Sequence, residues 1–77
     1  MNKEELSVRR IELLNEIDSE AKKHGIVAIK DTALLNAKNY AREQMQYGHS
    51  DLKTQEEFEI IGLERHLRSL KNENDPA

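Results

Sequence analysis

Four branched apolar side chains, Ile60, Leu63, Leu67 and Leu70, recur at steps of three, four and three along the last third of the chain. That spacing sets them on one side of an α-helix. A strand would alternate every second residue, and a loop would show no period. A seam of this kind has to bury itself against other helices, from the same chain or from a second copy. The fold class that follows is all-α, a compact three-helix bundle with helices at about 3–24, 31–47 and 51–72.

Glycine marks the first two stops. Leu6, Ile11, Leu13, Leu14, Ile17 and Ala21 fall on one broad face of the first helix, with Val8 off it. Glu5→Arg9 and Asp18→Lys22 lie at i,i+4, where opposite charges add a few tenths of a kcal/mol, roughly, to a helix. Lys22, Lys23 and His24 place cations in the last turn, and Glu20 lies four residues before His24. Gly25 tolerates the left-handed residue that ends a helix. Ile26, Val27, Ala28 and Ile29 then read as a short extended linker over 26–30. The alternative is a strand that pairs with the same segment of a second chain.

Asp31 is the expected N-cap of the second helix, with Thr32 as the alternative. Ala33, Ala37 and Ala41 repeat every fourth residue, flanked by Leu34, Tyr40 and Met45, and Gly48 follows. A stripe of small side chains lets another helix approach closely. Thr54-Gln55-Glu56-Glu57 matches a capping box for the third helix, in which Thr54 and Glu57 each satisfy a backbone N–H. Leu52 is expected to pack back over that first turn. Phe58 and Ile61 join the seam residues, and Gly62 marks a close crossing. From about Asn72 the chain is polar and is expected to fray. No internal repeat is present, and residues 1–77 make one domain.

At 77 residues, a domain buries only about 60% of the surface its unfolded chain exposes. Small domains often gain stability from disulfides, a metal or an oligomer. There is no cysteine, which removes disulfides and thiolate zinc sites. No apolar run approaches the roughly 18 residues that span a bilayer, and no signal peptide is visible at the start. A cytoplasmic protein is the expectation. Composition and size suggest a bacterial or phage source.

The net charge is −3. Residues 50–77 hold four basic and seven acidic side chains, so the deficit sits in the last third. That balance does not favour phosphate backbones, which call for a basic face. It leaves open a basic partner, or a protein that occupies a nucleic-acid site by resembling one.

Chemistry is hard to find in the pattern. His24, His49 and His66 offer no i,i+4 ligand pair, and no His-Glu-x-x-His occurs. The serines lack an elbow motif or a paired base. Gly25, Gly48 and Gly62 form no phosphate-cradling cluster. Glu56, Glu57 and Glu59 sit at a helix start, where the dipole favours negative charge and solvent is near. No catalytic residue, metal site or cofactor follows from the sequence, and the chain does not read as an enzyme.

The leading expectation is a small non-catalytic helical interaction module: an adaptor, regulator or inhibitor of a larger protein. Its candidate partner-binding residues are Tyr40 and Tyr47, seven apart on the second helix, and the acidic residues Glu56, Glu57, Glu59 and Glu64. Tyrosine is enriched at binding hot spots, and equally it roofs the edge of a core. A second reading is a homo-oligomeric bundle subunit with Ile60, Leu63, Leu67 and Leu70 as its seam. A third is a dimeric DNA-binding regulator. The segment 26–30, followed by two helices joined across Gly48-His49-Ser50, resembles the order of elements in ribbon-helix-helix repressors. That resemblance would imply a dimer reading bases from a strand. Of the side chains in this segment, only Lys30 could hydrogen-bond a base, and a full helix precedes it.

Overall fold

The computed structural model describes residues 2–27 and 29–73. It is an all-α three-helix bundle: α1 (Lys3–Lys23), α2 (Lys30–Gln46), a single 3₁₀ turn (His49–Asp51) and α3 (Gln55–Glu73). Both other helices pack on α3, and α1 and α2 also meet. No strand occurs among the described residues. Ile26 and Val27 lie between the helices, but the expected extended linker over 26–30 is shorter, because Ile29 already has helical backbone angles (φ −83°, ψ −16°) and Lys30 belongs to α2; Ala28 lies outside the description.

Local chemistry fixes the helix ends. Asn2 caps α1: its side-chain oxygen accepts from the Glu5 N–H at 2.8 Å, and its amide donates to the Glu5 carboxylate at 3.1 Å. At the other end Gly25 has φ +77°. Its N–H donates to the Lys22 carbonyl at 3.0 Å, and the Ile26 N–H donates to the Ala21 carbonyl at 3.0 Å. These two bonds form a Schellman motif, which needs a left-handed residue where glycine stands. Asp18 and Lys22 pair at 3.0 Å as their spacing implies. Glu20 pairs with Lys23 at 3.3 Å, not with His24.

The start of α2 departs from expectation. Neither Asp31 nor Thr32 is the cap; Ile29 takes that position and makes no side-chain cap bond. The side chain of Ile29 is buried in the core. Burying it brings the helix forward and leaves Asp31 in the first turn, where its charge still suits the dipole. The third helix begins at Gln55, later than position 51, because His49–Asp51 forms its own turn. The capping box is present: the Thr54 N–H donates to Glu57 Oε1 at 3.0 Å, and the Glu57 N–H donates to Thr54 Oγ1 at 3.3 Å. Leu52 does not pack back and is 73% exposed. Helix α3 runs on through Asn72 to Glu73; the rest of the expected frayed tail, 74–77, lies outside the described residues.

The core is one contiguous cluster. Leu6, Leu13, Ile17 and Ala21 come from α1, Ile29 from the cap position of α2, Ala33 and Ala37 from α2, and Ile60, Leu63, Leu67 and Leu70 from α3. The seam is thus buried by the chain's own helices. Leu14 packs partly buried against the cluster, whereas Ile11, expected on the same face, is 60% exposed. The buried stripe of α1 is narrower than its apolar residues suggest.

Gly62 sits at the crossing of α2 and α3. A Cβ placed there would lie 3.0 Å from Ala37 Cα, 3.2 Å from Ala37 Cβ and 3.3 Å from Tyr40 Cδ1. The alanine stripe and the glycine together let the two backbones approach. Beside this crossing Phe58 and Ala41 are also buried, with the Tyr40 ring set edge-on to Phe58 at 6.5 Å.

Candidate functional site

The acidic residues of α3 do not form one face. Glu56 is exposed. Glu57 is engaged in the capping box, where bonds from the Thr54 backbone and hydroxyl hold its carboxyl below the usual carboxylate range. Glu64 is half-buried and pairs with Arg9 of α1 at 3.7 Å. Glu59, read from the sequence as a solvated residue at a helix start, is only 5% exposed. Its position on α3 is one turn before Leu63, which points it toward the core.

What receives Glu59 is Arg10. The Arg10 Nη2 atom lies 3.7 Å from Glu59 Oε1. Arg10 stands on the stripe of α1 between Leu6 and Leu13, where an apolar side chain would continue the row. Each of the two stripes therefore carries one charged residue, and the two charges face each other. Neither Arg10 Nε nor Glu59 Oε1, both buried, finds a hydrogen-bond partner among the described residues. The sequence held a signal for this pair: a cation at the missing rung of the α1 stripe and an anion beside Ile60, one turn before Leu63.

The tyrosines also part company. Tyr40 is half-buried at the core edge, with Phe58 on one side and the Arg65 guanidinium 5.0 Å from its ring centroid. Tyr47 is 69% exposed, and its ring lies 6.4 Å from that of His49. His49 Nδ1 is 2.7 Å from Gln44 Oε1. His24 closes α1 as its C-cap residue, and its Nε2 is buried with no hydrogen-bond partner among the described residues. His66 is half-buried in α3. Among the described residues no group of three or more His, Asp or Glu side chains is arranged to hold a metal ion. No described helix is long and apolar enough to cross a membrane.

Outside the core, large apolar side chains remain. Val8 is 54% exposed and Ile11 60%, one helical turn apart on the outer side of α1. Glu4, Glu5, Arg9 and Glu12 surround Val8 in a shallow depression of about 370 Å³. Arg9, the one cation in that set, is already engaged by Glu12 at 3.5 Å and by Glu64 at 3.7 Å. The patch is thus apolar in the middle and acidic at its rim. Sequence reading left Val8 outside the core and gave it no role, and it placed Ile11 inside.

No family model matches the chain, and no curated protein and no solved structure shows significant similarity to it.

Proposed function

We propose that the protein is a small non-catalytic helical module whose work is to bind another protein, as an adaptor, regulator or inhibitor. The observation that carries this reading is the Val8–Ile11 patch. Single exposed apolar side chains are ordinary on any surface. Two on adjacent turns, with Glu4, Glu5 and Glu12 around Val8, have the pattern of a helix that lays anchors at i and i+3 into a partner's groove. The complement is an apolar groove with a basic rim. Tyr47 and Glu56 are both exposed and offer further contacts.

The test is site-specific photocrosslinking in cells that express the full chain. Benzophenone side chains are placed at Val8, at Ile11 and, as a control on the outer face of α2, at Leu35. The same adduct at positions 8 and 11, missing at 35 and weakened by Glu4→Lys with Glu12→Lys, supports the reading. Adducts that appear equally at all three positions, or at none, remove this face as the docking surface. An adduct of twice 8.9 kDa would show that the partner is a second copy.

A further inference from the structure

We propose that the Arg10–Glu59 pair, with Glu59 buried and Arg10 half-buried beside it, is a register lock that selects one alignment of α1 along α3. Apolar stripes alone choose a register poorly. Leu6, Leu13 and Ile17 on one helix and Ile60, Leu63 and Leu67 on the other are of similar size and shape. Sliding α1 by one turn, about 5.4 Å, would bury nearly the same apolar surface. The same slide with Arg10 and Glu59 in place takes the cation away from the buried Glu59 carboxylate and leaves that charge among leucine and isoleucine side chains. A buried charge without its counterpart is strongly unfavourable, so the slipped alignments are excluded.

The geometry favours selection over stabilisation. The pair is separated by 3.7 Å, and neither Arg10 Nε nor Glu59 Oε1 is hydrogen-bonded within the described residues. An ion pair with a buried carboxylate and unsatisfied atoms holds a fold no better than well-packed apolar side chains of like volume. Its effect falls on the competitors. A single polar contact in a coiled-coil seam fixes alignment at a cost in stability in the same way. The Arg9–Glu64 contact agrees with the same register, but its carboxylate is 44% exposed where that of Glu59 is 7%, so it discriminates weakly.

The chain has no cysteine, so spin labels can be placed freely. Labels at E4C on α1 and S69C on α3, both exposed positions, report the alignment by electron–electron distance measurement on the full chain. With Arg10 and Glu59 present, one narrow distance distribution is expected. With R10L and E59L combined, the protein is expected to stay helical and to show a second or displaced distance, separated by about 5 Å, the rise of one turn. A folded R10L/E59L chain with the original narrow distribution would overturn the lock. A chain that fails to fold would overturn it too, because the pair would then be holding the structure up, not choosing among alignments.

Discussion

Where α2 crosses α3 the closest contact is between residues with almost no side chain, whereas α1 meets α3 through branched side chains and one ion pair with a buried carboxylate. At the first contact Ala37 and Gly62 bring backbone against backbone. At the second, Leu6, Leu13 and Ile17 join Ile60, Leu63 and Leu67 in the core, and Arg10 faces Glu59. The small-residue contact is intolerant of added atoms, because the nearest atom across the gap is the Ala37 backbone Cα, which cannot rotate away. The large-residue contact is intolerant of lost atoms or lost charge, because its volume and its electrostatics are filled from both sides.

Leu63 tests the second contact most severely. It is fully buried at the middle of the seam, and Leu63→Ala is expected to cost about 2–5 kcal/mol. In a domain of this size that is most of the stability, so urea denaturation should show a variant largely unfolded without denaturant. A variant that stayed folded and lost only self-association would place the seam between chains. Next comes Arg10→Leu, which leaves Glu59 buried without its counter-charge and is expected to cost about 3 kcal/mol. A double-mutant cycle with Glu59→Leu measures the coupling; adding the second substitution should recover much of the loss.

The first contact is probed by Gly62→Ala. Helix propensity alone would favour alanine by about 1 kcal/mol. The new Cβ, however, meets Ala37 Cα at 3.0 Å, and a backbone atom cannot rotate away. Overpacking of this kind costs typically 1–3 kcal/mol, so a small net destabilisation, read as a lower denaturation midpoint, is expected. A stabilised variant would mean that α2 and α3 can separate without penalty, and the contrast between the two contacts would weaken.

The smallest effect lies at the α3 cap. Glu57 has its folded-state pKa lowered by the Thr54 bonds. The capping contribution is therefore fully present above the ordinary carboxylate pKa and is lost as pH falls through the lower folded value. Thermal melts between about pH 6 and pH 3 should show Glu57→Gln losing less stability than the parent across that window. Equal losses would mean the capping carboxylate does not drive the acid response.

The parts of this molecule that could be read from the sequence are the local and the periodic ones. The α3 seam, the stops at Gly25 and Gly48, the alanine stripe and the Thr54–Glu57 box each lie within a few turns and carry their own spacing. What escaped depends on the phase of α1. Counting Ile11 into the buried face widened the stripe and hid the fact that Arg10 occupies a rung between Leu6 and Leu13. Glu59 was lost in the same way, grouped with Glu56 and Glu57 by proximity in sequence although it lies nearly opposite Glu57 around the helix and one turn nearer the core residues than Glu56. The Val8–Ile11 patch could be read only by subtraction, once the core had taken what it needed. At α2 a good cap residue, Asp31, lost to the burial of Ile29, a tertiary effect that no local pattern reports.

That choice at Ile29 has a consequence for how the bundle opens. An isoleucine offers no side-chain acceptor to the free amides of the first turn, so the amino end of α2 is held in place by docking and not by a local clamp. The first-turn N–H groups should then exchange with solvent deuterium whenever Ile29 leaves the core. Their protection would serve as a built-in gauge of bundle closure, while the Asn2-capped start of α1 would report only its own fraying.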